Sequence, residues 1–284
     1  MITERREDIQ TGVYFIKPSK HLKEMNFLSK HSLLPLFGFV LVLTAMSCKD
    51  DKTLPSCEGV TYEYEGADGP EHWSELCVDY VDCGGKVQSP VDITNAVDDA
   101  SLAAVARTYS NSGTHIVNKG HTIQFNYDGG STIVVNGESY ELLQFHTHTH
   151  SEHTVGGVSA PMEIHFVHKN ATTGKLAVIG VFVEEGAENP ILKHFVDHLP
   201  ATLDATYEGA VSFTAQDLMP SDLSYYTYSG SLTTPPCSEI VTWIVLEHHI
   251  EATEEQIHAF EALEHENARP VQPLEGRTIK HHKA

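Results

Sequence analysis

From residue 122 onward, apolar and polar positions alternate with a period of two, the pattern that a strand with one buried face imposes. Strands are expected at Thr122–Tyr127, Ser131–Val135, Tyr140–His150, Met162–His168, Leu176–Glu184 and Ile240–Leu246. Turn residues separate them at Asp128-Gly129-Gly130, Asn136-Gly137 and Thr173-Gly174. The run Leu176–Val183 has no polar position and is expected to be buried on both faces. Helical spacing appears in two short segments, Pro190–Leu199 (Ile191, Leu192, Phe195, Val196) and Glu254–Glu264 (Ile257, Phe260, Leu263). No fixed-period repeat and no Gly/Ser- or Pro-rich linker divides residues 58–284. The expectation is a single, mainly β (α+β) domain with a large central sheet and short peripheral helices.

The N-terminal stretch has a different character. Residues 32–47 form an uncharged apolar run behind Lys23 and Lys30, and Cys48-Lys49-Asp50-Asp51 follows at once. This is the layout of a secretory signal, with a signal anchor as the alternative and Met25 as an alternative start. Cys48 stands where a bacterial lipoprotein carries its lipid, and ordinary cleavage near Ser47 is the competing reading. The chain therefore divides into a signal peptide at 1–47, a lipid-anchor cysteine and polar tether at 48–57, and the domain at 58–284. Export to the periplasm or outer-membrane surface of a Gram-negative bacterium is expected, with the membrane touched only through that anchor.

Charge and cysteine content narrow the class. Eighteen Lys+Arg against 39 Asp+Glu give a formal charge of −21, which excludes a general affinity for nucleic acid. With Cys48 set aside, Cys57, Cys77, Cys83 and Cys237 fit two disulfides in an oxidising compartment, and spacing alone allows three pairings. The 19 histidines exceed what packing asks for.

Three of them fall in Gln144-Phe145-His146-Thr147-His148-Thr149-His150, where a strand would turn His146, His148 and His150 to one face. A second segment, Met162–His168, places Glu163, His165 and Val167 on one face, so a neighbouring strand could add His165 to the first two. Three imidazoles with a fourth position open to water is the catalytic style of zinc site; structural sites are closed by four ligands. On pattern alone a histidine-rich surface strand explains the first segment equally well.

Further segments carry a resemblance. Gly69-Pro70-Glu71-His72-Trp73, Gln88-Ser89-Pro90, Gln144–His148, Ser151-Glu152-His153, Glu163–His168, Ser231-Leu232-Thr233-Thr234-Pro235-Pro236-Cys237 and Asn267-Ala268-Arg269-Pro270 occur in order. From about Tyr62 to Lys280 the chain resembles the α-class carbonic anhydrases. The resemblance implies their large twisted, mostly antiparallel sheet and one Zn2+ per chain on His146, His148 and His165. It implies reversible hydration of carbon dioxide to bicarbonate and a proton by a zinc-bound hydroxide.

It also assigns roles by position. Gln144 would orient His146, Glu163 would orient His165, and a carbonyl near Asn267 would orient His148, the task of outer partners in metal sites. Thr233 would accept from the nucleophile and donate to Glu152. His121 would shuttle protons, and Tyr64 would join the water network. Val167, Val178, Leu232, Val241 and Trp243 would form the carbon dioxide wall, with Thr233 and Thr234 beside it. Sulfonamides and anions would inhibit, and a homodimer is admitted. A Cys83–Cys237 bridge is implied, and with it Cys57–Cys77, Cys57 otherwise being free. His150 is expected not to ligate and His153 to be buried. His168, His194, His198, His248, His249, His258, His265, His281 and His282 have no role and are expected at the surface. A binding or adhesion lipoprotein on the same fold, or a histidine-rich metal store, are the competing functions; the first typically lacks ligand histidines that are present here.

Overall fold

The computed structural model describes residues 53–284; the leader, the Met25 start and Cys48 lie outside the described residues. One sheet dominates. Its strands run edge to edge in the order Thr206–Phe213, Ser112–Asn118, Ile123–Asn126, Glu138–His148, Met162–Lys169, Leu176–Glu185, Val241–Leu246, Tyr225–Gly230, Lys280–His282 and Val97–Asp98. Neighbours are antiparallel except for Leu176–Glu185 beside Val241–Leu246 and Lys280–His282 beside Val97–Asp98. Ala106–Thr108, Thr132–Val135 and Ile250–Ala252 pair alongside this path and bring the sheet to thirteen strands.

Two helices cover one face. Asn189 caps Pro190–Val196 by accepting from the N–H groups of Ile191 (3.0 Å) and Leu192 (3.1 Å), and Pro190 suits the first turn. Thr253 and Gln256 form a capping box for Glu254–Glu264. Beneath them, alternate residues of three adjacent strands supply a phenylalanine layer. Phe125 and Phe145 stack with centroids 4.6 Å apart, Phe166 follows at 5.2 Å from Phe145, and Phe195 and Phe260 pack in from the helices. Each ring, fully buried, contributes roughly 2–3 kcal/mol. Because strand side chains alternate, this layer commits the residues between the phenylalanines to the opposite face.

The structure departs from expectation in four places. The strand expected to reach His150 ends at His148, and residues 149–150 bend away, so His150 does not share the face of His146 and His148. It is exposed, and its Nδ1 lies 2.7 Å from the Ser151 carbonyl. The first helix stops at Val196, not Leu199. Strands Ser112–Asn118, Thr206–Phe213 and Tyr225–Gly230 were not expected. Their sequences mix Ser, Thr, Gly and Tyr, and the buried polar groups are satisfied locally, as where Thr114 Oγ1 donates to the Val211 carbonyl at 2.8 Å. His168 and His281 are buried, not exposed. His168 is held by the Phe166 carbonyl (2.9 Å) and the Tyr109 hydroxyl (3.1 Å), and His281 sits between Asp98 and Glu247, 2.9 Å from each.

Cys57 is bonded to Cys77, and Cys83 to Cys237 across 154 residues. The longer loop constrains the unfolded chain more. The Cys83→Ser/Cys237→Ser double variant is expected to lose about 4 kcal/mol of stability in the chain-entropy account, read as a lower urea midpoint against the intact protein.

Candidate metal centre

The two central strands meet in a register that opposes His146 to His165, His148 to Glu163 and Gln144 to Val167. All six therefore project from the face opposite the phenylalanine layer. His146, His148 and His165 bring one ring nitrogen each to within 4.8 Å of one another. The other nitrogen of each ring faces an oxygen, His165 Nε2 at close range but off hydrogen-bond geometry. His146 Nδ1 lies 2.9 Å from Gln144 Oε1, His148 Nδ1 lies 2.8 Å from the Asn267 carbonyl, and His165 Nε2 lies 2.9 Å from Glu163 Oε1. These contacts fix the tautomers and leave Nε2 of His146, Nε2 of His148 and Nδ1 of His165 as lone-pair donors.

Electrostatics hold the three rings neutral. Burial pushes His148 down to about 4, and burial likewise lowers His165 and takes His146 well below the ordinary histidine value. A neutral imidazole is the ligand form. The buried atoms His148 Nε2 and Glu152 Oε2 have no hydrogen-bond partner within the protein. Orphaned polar atoms beside three convergent nitrogens fit a divalent cation with an open position, and the all-nitrogen donor set suits zinc.

Glu163 anchors the arrangement. Burial opposes its ionisation, yet His153 and His165 beside it hold its carboxyl well below the carboxylate range. Its Oε1 receives His153 Nδ1 at 2.8 Å, and its Oε2 accepts from the N–H groups of Glu152 (3.0 Å) and His153 (2.9 Å). His153 is buried and passes the network on to the Tyr228 hydroxyl at 2.7 Å. A Cβ on Gly180, across the sheet, would lie 2.7 Å from Glu163 Oε1, so the carboxylate occupies space that only glycine leaves.

Around this centre the structure brings the other sequence-predicted residues together. Burial pushes Glu152 up to about 7, while His165 and the Thr233 side chain favour its anion. Its Oε1 accepts from the Arg269 N–H at 2.9 Å. Thr233 is buried on the loop that Cys83–Cys237 ties down, and Thr234 on the same loop meets the Tyr62 hydroxyl. Val178, Val241 and Trp243 are buried in one apolar cluster, with Val167 and Leu232 packed against it. His121 stands between the rings of Tyr62 (6.2 Å) and Tyr64 (5.4 Å), with Nε2 3.0 Å from Glu63 Oε2.

Two residues escaped sequence reasoning. Arg269 is buried over Trp73 and donates to Gln88 Oε1 (2.8 Å), the Ser89 carbonyl (2.8 Å) and the Cys83 carbonyl (3.0 Å), so it ties the N-terminal segment to the Glu152 side of the centre. Glu264 is fully buried behind the ligand strand. Its Oε1 accepts from Thr147 Oγ1 at 2.6 Å and from the Ile123 N–H at 2.9 Å. Burial pushes its carboxyl up to about 8, so it is neutral at pH 7. The Thr147 hydroxyl on an otherwise apolar face was the available signal.

Comparison with known proteins places this geometry. The family model described as eukaryotic-type carbonic anhydrase matches residues 68–283. A carbonic anhydrase of Pectobacterium atrosepticum is 42% identical over 247 residues, covering 86% of this chain and 98% of the relative. Among solved structures, a hyperthermostable carbonic anhydrase from an active hydrothermal vent chimney superposes with TM-score 0.75 at 48% identity, covering 78% of this chain and 99% of the other. The α-carbonic anhydrase of Thermovibrio ammonificans, solved with the inhibitor sulfanilamide, gives TM-score 0.75 at 42% identity over 78% of this chain and 99% of its own.

Two outcomes follow from the buried carboxylates. Glu264 ionises at about 8 when folded and near 4.5 when unfolded, so above pH 4.5 the unfolded state gives up its proton first. Stability from this group is complete below pH 4.5 and falls as pH rises toward 8, by roughly 3 kcal/mol at pH 7. Glu264→Gln should remove that slope, so urea unfolding of the variant gains on the parent between pH 5 and pH 8. Gly180→Ala should displace Glu163 and weaken metal retention about 10- to 100-fold, read by competition with a chelator.

Proposed function

The chain belongs to the eukaryotic-type, α-class carbonic anhydrases, and from that premise we propose that it hydrates carbon dioxide at one zinc ion held by His146, His148 and His165. The carrying observation is the convergence of three neutral imidazoles whose remaining nitrogens each face an oxygen at 2.8–2.9 Å. Zinc bound there supplies Lewis acidity that brings the pKa of water to about 7, the established value for carbonic anhydrase itself.

The chain's own groups do the rest. Thr233 donates a hydrogen bond to Glu152, a carboxylate whose Oε1 is fixed by the Arg269 N–H, so the Thr233 oxygen is left as an acceptor that orients the nucleophile. The apolar cluster of Val167, Val178, Leu232, Val241 and Trp243 receives a substrate that has no net dipole and excludes water from its far side. Each hydration releases a proton, and His121, whose imidazole can both accept and donate one, carries it outward. Sulfonamides and small anions are expected inhibitors, the Thermovibrio relative having been solved with sulfanilamide. Export belongs to the same proposal, because two disulfides are stable in an oxidising compartment.

Stopped-flow hydration of carbon dioxide with metal analysis tests this reading. One zinc per chain and rapid hydration are expected, both lost in His148→Ala. Zinc without hydration would point instead to a binding role, and several metals per chain to metal storage.

A further inference from the structure

The N-terminal hook Tyr62-Glu63-Tyr64 is built around one side chain that its own sequence does not contain. Its backbone is fixed at Glu63 on both sides: the N–H donates to the Asp68 carbonyl at 2.9 Å, and the carbonyl accepts from Trp73 Nε1 at 2.9 Å. Tyr62 and Tyr64 brace Trp73 edge-on at 5.4 and 5.6 Å, and both rings also face His121. The disulfide Cys57–Cys77 ties the chain just before the hook to the segment just after Trp73. From this anchored position the Glu63 carboxylate reaches His121 Nε2 at 3.0 Å. The opposite nitrogen, His121 Nδ1, is buried and has no protein partner.

We propose that Glu63 is a positioning residue for His121, accepting from Nε2–H so that the imidazole keeps its free lone pair on the buried Nδ1. A carboxylate is an acceptor only, so the neutral ring facing it must carry its proton on Nε2. A proton taken up at Nδ1 gives an imidazolium whose second N–H stays on Glu63. Loss of that same Nδ1 proton to a buffer base restores the starting ring, so one N–H bond forms and breaks while the proton passes from a water O–H to the buffer. The tyrosines limit the ring's sideways movement and Glu63 limits its rotation. The His121 backbone is held separately, Asn267 Nδ2 donating to its carbonyl at 2.8 Å.

This inference rests on the proposed shuttle role of His121, and the experiment separates the two. Carbon dioxide hydration is measured by stopped flow on the zinc-loaded protein in weakly buffered solution, for Glu63→Ala, Glu63→Asp, His121→Ala and the Glu63→Ala/His121→Ala double variant. Glu63→Ala should lower kcat roughly three- to tenfold with kcat/KM within about twofold, because proton export limits kcat alone. Added imidazole should restore kcat, Glu63→Asp should lie between the two, and Glu63→Ala should change nothing further once His121 is gone. An unchanged kcat in Glu63→Ala while His121→Ala is slow overturns the role of Glu63 and leaves the shuttle standing. An unchanged kcat in His121→Ala overturns both. Equal losses in kcat and kcat/KM, or a loss that persists without His121, overturn the positioning role in favour of a structural one.

Discussion

The register between Glu138–His148 and Met162–Lys169 is the constraint on which the candidate site depends. A slip of one residue would turn one strand over relative to the other, parting His165 from His146 and His148 and pointing one of the phenylalanines toward the cavity. The phenylalanine layer prevents this. Phe145 and Phe166 are opposed in the same register, Phe145 packs under Phe195, and burying each ring is worth roughly 2–3 kcal/mol. Ligand placement is thus enforced from behind, by residues that never meet the metal.

The front face carries the opposite problem, because polar groups there are taken out of water. Its solution is a division of labour among carboxylates. Glu163 is ionised and spends both oxygens on four donors; Glu152 keeps one oxygen for Arg269 and one for the site; Glu264, behind the strand, avoids the cost of charge by staying neutral. One buried carboxylate in each protonation regime leaves the histidines neutral without leaving a bare charge.

Much of this was readable from the chain. The period-two placement of His146, His148, Glu163 and His165 gave the face, and the flanking segments resembled a family whose roles then fell on Gln144, Thr233 and Asn267. What was hidden came from distance. Glu264 meets Thr147 from 117 residues away, and Arg269 meets Gln88 from 181, separations that no local pattern encodes. His150 illustrates the converse, since alternation alone continues past His148 although the chain turns there. The strands Ser112–Asn118 and Thr206–Phe213 lacked a clean alternation because the first is buried on both faces and the second is a largely exposed edge interrupted near Gly209.

The pairing of Lys280–His282 with both Tyr225–Gly230 and Val97–Asp98 makes the end of the chain the link between the sheet and its edge strand. Among the described residues Val97–Asp98 pairs with no other strand, so its place depends on a segment more than 180 residues downstream, where the His281 ring joins Asp98 to Glu247. The C-terminal segment is thus a structural part of the sheet, and removing residues 280–284 would strip Val97–Asp98 of its neighbour and leave Asp98 and Glu247 without the ring between them.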